Sequence, residues 1–246
     1  MARIEHAVLE GVIAVRAALH AHSRELHRIL IRADKEDRPV AQLEQRAEAA
    51  GIPVERVAAE AIDSVASGTT HGGVLALAGP RRYVSLRELG ADAAAPFLAL
   101  LDGIEDPFNF GYALRSLYAA GGHGTVLGPR NWMTAAGTVG RASAGASELL
   151  PLAVADPLEA VEHCSGRGLA IVCAAAERDA RSLYDIDLSR PLLLVIGGER
   201  RGISRSVLAR ADVVARIPYG RDFRGSLGTT SAAAVLAFEV LRQRGV

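Results

Sequence analysis

Leu192-Leu-Leu-Val-Ile-Gly-Gly-Glu-Arg-Arg-Gly-Ile203 is an unbroken apolar run that collapses into paired glycines and then a lone carboxylate. A run of that kind, with no alternation, reads as a strand buried on both faces, which is the habit of a parallel sheet covered by helices. Gly197 and Gly198 leave room for a flat ligand to lie against backbone whose amides can bond ring nitrogens. The same residues also fit a plain strand-end turn with a solvated Glu199. Taken alone, the stretch decides the fold and leaves the chemistry open.

Outward from it, apolar runs recur at Phe97–Leu101, Thr125–Leu127, Leu149–Val154, Leu169–Ala174 and Val213–Ile217, with helical stretches between most of them. That rhythm predicts a mostly parallel sheet with helices on both faces. A final helix over Thr229–Arg242 sets Ala233, Leu236, Ala237, Val240 and Leu241 on one stripe. Towards the N-terminus the pattern is that of a smaller α/β domain. Ala7–Leu19 has helical spacing, Leu26–Ile31 reads as a strand, Pro39–Ala50 as a helix stopped by Gly51, and Pro53–Val57 as a strand. Ala61–Ala66 reads as a short helix and Val74–Ala78 as a third strand. The expected division is residues 1–80 as one domain, 81–96 as a linker bounded by prolines, and 97–246 as the second domain.

Two other glycine-containing segments follow strands, where open α/β sheets bind ligands. In Leu101–Arg115, Pro107 and Asn109 suit a turn and a helix start, and Arg115 follows Asn109 by less than two helical turns. The residues alone are equally those of a capped helix with one exposed arginine. In Ala215-Arg-Ile-Pro-Tyr-Gly220 and Gly225-Ser-Leu-Gly-Thr-Thr-Ser-Ala232, the hydroxyls of Ser226, Thr229 and Thr230 suit either capping of the last helix or a ligand carboxylate at its positive end.

Composition narrows the classes. Half of the 246 residues are hydrophobic, 23% are charged and the net charge is zero, an ordinary globular profile with no global basic field. Locally, residues 199–225 hold seven arginines against three acids. Lys35 is the chain's only lysine, so nearly all positive charge sits on guanidinium groups suited to bidentate phosphate contact. Cys164 and Cys173 form neither a disulfide framework nor a metal-ligand spacing, and no metal is expected. No signal segment and no long apolar span appears, so a cytoplasmic chain without membrane contact is expected. A dinucleotide fold is disfavoured: Gly121–Gly128 lacks the G-x-G-x-x-G spacing and precedes a strand. A nucleophile-elbow hydrolase is disfavoured by the lack of G-x-S-x-G.

Together the three segments resemble the SpoU/TrmH family of RNA ribose 2'-O-methyltransferases, within the SPOUT superfamily. N-x-G-x-x-x-R is matched by Asn109, Gly111 and Arg115. G-x-E-x-x-G-[IL] is matched by Gly197, Glu199, Gly202 and Ile203. I-P followed by S-L-N-x-[ST]-x-A is matched by Ile217, Pro218, Ser226, Leu227, Thr230 and Ala232, with Gly228 in place of the asparagine. Residues 6–79, ending in His71-Gly-Gly-Val-Leu-Ala, resemble the family's accessory RNA-binding domain of ribosomal-protein type.

The resemblance implies an α/β fold with a SPOUT-type parallel sheet and a trefoil knot, and S-adenosylmethionine as cofactor. It implies catalytic roles for Asn109, Arg115 and Glu199, and cofactor contacts at Gly197, Gly198, Ile217, Ser226, Leu227 and Thr230. Adenine would lie against Gly197, Ile217 and Leu227. Since a guanidinium is a poor base at neutral pH, Arg115 is expected to hold a phosphate and stabilise developing alkoxide charge. Arg200, Arg201, Arg205, Arg221, Arg224 and His71 are candidate RNA contacts. RNA rather than DNA is the expected partner because only RNA carries the 2'-hydroxyl. Ribosomal RNA is expected first and transfer RNA second. The resemblance also implies a homodimer, and Gly228 keeps open a family member that binds RNA without turnover.

Overall fold

The computed structural model describes residues 6–223 and 225–245, which divide into two compact units. One comprises residues up to Arg82 together with Asn131–Leu149; the other comprises Tyr83–Arg130 and Leu150 onward.

The N-terminal unit is built on β1 (Ala7–Glu10), α1 (Val12–Ala21), β2 (Leu26–Arg32), α2 (Arg38–Ala49), β3 (Val54–Val57), α3 (Ala59–Asp63) and β4 (Val74–Ala78). Its four strands run in the order β1-β4-β2-β3, with β2 and β3 parallel and the other two pairs antiparallel. Helical spacing alone predicts a helix from Ala7, yet Ala7–Glu10 is a strand. Gly11, at φ 90°, breaks the chain before α1 begins, and ladder pairing with β4 outweighs a four-residue propensity. Leu9, Val15, Ile29, Ile31, Leu43 and Val74 make the core.

The parallel sheet belongs to the other unit. It is formed by β5 (Phe97–Asp102), α4 (Pro107–Ala119), β6 (Gly124–Leu127), β7 (Leu152–Val154), α7 (Pro157–Gly166), β8 (Ala170–Ala174), β9 (Arg181–Ser182), β10 (Leu192–Gly197), α8 (Arg205–Leu208), β11 (Val213–Arg216) and α9 (Thr229–Gln243). Seven strands, all parallel, take the order β7-β6-β5-β10-β8-β11-β9. The central strands β5 and β10 are buried almost end to end, as continuous apolar runs require. Leu98, Leu100, Val126, Ile171, Leu193 and Val195 fill one face, and α4 packs along α9.

Two boundaries differ from the sequence expectation. Residues 83–96 are packed rather than loose. Leu89 is buried, Val84 donates to Leu152 O at 2.9 Å, and the Arg167 guanidinium bonds Leu86 O and Leu89 O at 3.1 and 2.9 Å. Residues 131–149 contain α5 (Ala136–Ala142) and α6 (Ala146–Leu149) and group with the N-terminal unit, so the strand expected from Leu149 begins only at Leu152.

That grouping has a definite cause. α5 lies along β1 and α6 along α1, and at Gly145 a Cβ would stand 2.9 Å from the Ala17 Cβ. Glu148, buried on α6, accepts from Ser23 Oγ at 2.6 Å and ion-pairs Arg24 and Arg81 at 3.1 and 3.0 Å. Burial pushes its carboxyl pKa up, but the two guanidinium charges and the hydrogen bonds outweigh this and hold it below the usual range. A buried carboxylate so partnered is costly to break from one side.

Candidate active site

The carboxyl ends of β5 and β10 lie side by side, with Gly197 opposite Asp102. The backbone at Gly198 donates to Asp102 O at 2.6 Å. A Cβ on Gly198 would fall 2.1 Å from Gly103 O, so only glycine permits this approach. Asp102 itself is buried and accepts from Ser204 N–H at 2.8 Å, which fastens the turn after β10 to the end of β5.

From that end the chain enters α4. Asp106 is its N-cap, accepting from Asn109 N–H at 2.8 Å, with Pro107 at the first position. Asn109 is therefore the third helical residue, and its Nδ2 donates to Glu199 Oε1 at 2.6 Å. The third segment reaches the same strand end through α9, where Thr229 Oγ1 donates to Gly197 O at 3.2 Å. Leu227 N–H donates to the Tyr219 hydroxyl at 3.1 Å, and the Tyr219 and Phe223 rings meet edge to face at 5.6 Å.

The loops after β8, β10 and β11 enclose a cleft of about 750 Å³ lined by Gly197, Gly198, Glu199, Ile217, Ser226 and Leu227 among others, while the segment 101–115 does not line it. Its size and apolar walls suit a drug-sized or cofactor-sized ligand at the position where parallel sheets bind one.

Residues 96–238 match the SpoU rRNA Methylase family, and residues 8–84 match the family described as RNA 2'-O ribose methyltransferase substrate binding. The chain belongs to the SpoU/TrmH family of RNA 2'-O-methyltransferases. It is 34% identical over 239 residues to the 23S rRNA (guanosine-2'-O-)-methyltransferase RlmB of Pseudomonas aeruginosa, covering 95% of each chain. It is 31% identical to the protein of that name from Yersinia pestis, over 97% of this chain and 98% of the other. Among solved structures, the SpoU methyltransferase AviRb from Streptomyces viridochromogenes in complex with AdoMet superposes with a TM-score of 0.81 at 21% identity, over 98% of this chain and 91% of that one. An AdoMet-bound rRNA methyltransferase from Sinorhizobium meliloti gives 0.80 at 23%, over 97% and 87%.

The SpoU motif residues gather unevenly. Asn109 and Glu199 meet directly, and Gly197, Gly198, Ile217, Ser226 and Leu227 line the cleft, as do Arg201 and Arg221. Thr230, half-buried on the first turn of α9, does not line it, and α9 starts at Gly228 with no side-chain cap, so neither Ser226 nor the threonines serve as one. Arg115 is exposed on α4, away from the cleft lining, and forms no hydrogen bond or ion pair among the described residues. Arg200 pairs loosely with Glu105 at 3.4 Å in solvent, and Arg205 is exposed at the start of α8. Arg224 lies outside the described residues. His71 is buried in the N-terminal unit, its Nδ1 accepting from Gly73 N–H at 3.1 Å and its Nε2 3.2 Å from Asp63.

Two residues of the cleft's scaffold were missed. Asp102 is a carboxylate closing a wholly buried strand, a signal available in the sequence. Tyr219 carried none, because its hydroxyl partner, the Leu227 amide, is identifiable only in three dimensions.

Proposed function

We propose that the chain transfers a methyl group from S-adenosylmethionine to a ribose 2'-hydroxyl of large-subunit ribosomal RNA. The observation that carries this is a cleft lined by the segments that follow β10 and β11, with the first segment joined to it through the Asn109–Glu199 bond. The relatives' printed activity gives the substrate class.

The residues present fit the cofactor. Backbone at Gly197, Ile217 and Leu227 offers the flat, partly apolar bed that adenine requires, and Ser226 lies in the cleft just before α9, where a carboxylate is favoured. When bound, S-adenosylmethionine supplies an electrophilic methyl on sulfonium. The chain's own task is to align the 2'-oxygen and stabilise the charge that appears as its proton leaves. Arg115 holds the adjacent phosphate and that developing alkoxide, and Asn109 and Glu199 orient the target nucleotide.

Arg115 lies off the cleft of its own chain, and α4 and α9 expose Phe108, Tyr112, Tyr118 and Phe238. Exposed aromatics on neighbouring helices suit an interface. The active form is therefore proposed as a homodimer in which Arg115 of one protomer serves the cleft of the other. A trefoil knot in the C-terminal segments, an RNA-binding role for the N-terminal unit and RNA contacts at Arg200, Arg201, Arg205, Arg221 and Arg224 complete the reading, whereas His71, buried with both ring nitrogens engaged, is not proposed as a contact. No helix among the described residues is long and apolar enough to cross a membrane.

The test is calorimetric titration with S-adenosylmethionine, followed by tritiated methyl transfer into total RNA and mapping of the acceptor. Cofactor binding with a 2'-O-methyl on large-subunit RNA is expected. Methyl acceptance only by transfer RNA, or binding without transfer, overturns it.

A further inference from the structure

Two aromatic rings line the cofactor cleft, Tyr219 and Phe223, both in the loop between β11 and α9. They are 41% and 55% exposed, so neither is packed as core. Both are nevertheless held in place. The Tyr219 hydroxyl accepts from Leu227 N–H, the two rings meet edge to face, and at Gly225 a Cβ would stand 2.5 Å from the Phe223 ring. A ring fixed in this way, with about half its surface in water, is already shaped for a flat partner and loses little freedom on binding one.

Methyl transfer to RNA brings two flat groups to the cleft, the cofactor's adenine and the acceptor's base. Adenine has its bed on backbone at Gly197, Ile217 and Leu227. The acceptor base hangs from the ribose carbon next to the one that carries the 2'-oxygen, so an oxygen placed at the sulfonium methyl brings its base to the same cleft. Charge alone does not hold it there. Arg201, Arg216 and Arg221 line the cleft beside Glu177, Glu199 and Asp222, and the two signs cancel. An uncharged contact is required, and the two rings supply one.

We propose that Tyr219 and Phe223 form a stacking platform for the base of the acceptor nucleotide, with Phe223 offering the larger exposed surface. The inference rests on the reading of the chain as an RNA methyltransferase and adds the group that holds the acceptor base beside the cofactor. A base drawn out of an RNA strand loses its stacking neighbours, and an aromatic side chain replaces them.

Phe223→Leu keeps an apolar contact with Tyr219 and removes the aromatic face, whereas Phe223→Trp keeps the face. With the full chain, methyl transfer into a complete 23S ribosomal RNA transcript and affinity for that transcript are measured across salt concentrations, alongside thermal melting and calorimetric titration with S-adenosylmethionine. Phe223→Leu is expected to raise the KM for the transcript and to weaken its binding, each by about tenfold, the scale of one lost base stack. The log–log salt slope should stay unchanged, because no phosphate contact is removed. Melting and cofactor affinity should stay at wild-type values, and Phe223→Trp should restore the KM.

An unchanged KM in Phe223→Leu overturns the proposal. So does a raised Kd for S-adenosylmethionine with transcript binding unmoved, which would make the rings a cover for the cofactor. A loss that tracks a lowered melting point and is not restored by Phe223→Trp also overturns it. If the wild type binds the transcript but transfers no methyl, the enzyme reading falls, and weaker binding by Phe223→Leu leaves the rings as an RNA contact. If the wild type does not bind the transcript, both fall.

Discussion

The Asn109 side-chain amide donates to the Glu199 carboxylate across 2.6 Å, joining two residues 90 positions apart. The bond ties the first turn of α4, a helix that also packs along α9, to the loop just after β10. Asn109→Ala should therefore lower kcat of methyl transfer by about tenfold to a hundredfold, with cofactor affinity little altered. Steady-state kinetics on ribosomal RNA checks this, and a pure loss of cofactor binding contradicts it.

Tyr219 organises the loop before α9 through the Leu227 amide. Removing the hydroxyl in Tyr219→Phe leaves that N–H without its partner at a cost of about 1 kcal/mol. A several-fold rise in the Kd for S-adenosylmethionine is expected by calorimetry, with RNA affinity unaffected. Equal cofactor affinity would remove Tyr219 from the account.

Gly228 begins α9 at φ −58° and ψ 152°, with open space around the position of a Cβ. Asparagine fits there and can cap the helix, so Gly228→Asn should raise stability by a few tenths of a kcal/mol. Denaturant melts give the sign. Destabilisation would mean that the site requires the absence of a side chain.

Glu148→Gln should destabilise the N-terminal unit by about 3–5 kcal/mol, because two buried guanidinium groups lose their counter-charge. In the native chain the carboxyl pKa is depressed. Its contribution is thus present above the unfolded value near 4.3 and is lost as pH falls through the lower folded one. Acid unfolding of the wild type should show this added loss below about pH 4, a component the variant lacks.

Both thiols are buried, and loss of solvation is the main cause that lifts Cys164 to about 11 and Cys173 to about 12. Native protein should resist a thiol reagent at pH 8, and both cysteines should react after unfolding. Rapid labelling of the native chain would contradict the packing of α7 and β8.

The central strands of the parallel sheet were legible because they are apolar runs, and Leu192–Gly197 closes within one residue of the expected end, whereas β9, Arg181–Ser182, has no apolar run to announce it and was not expected. The turn at Gly197 and Gly198 was legible as a close-approach turn, and Leu227 was legible only through the family resemblance. What escaped was non-local. Ala7–Glu10 is a strand only because β4 lies beside it. Residues 131–149 join the N-terminal unit because Glu148 meets Arg24 and Arg81, partners more than 60 positions away. No local period encodes such pairings.

Single-turnover methyl transfer from S-adenosylmethionine to 23S ribosomal RNA, comparing wild type with Arg115→Ala, tests the central claim most directly. The account predicts transfer by the wild type and a loss of about a hundredfold or more in the variant, with cofactor affinity retained. Near-wild-type transfer by Arg115→Ala would contradict it.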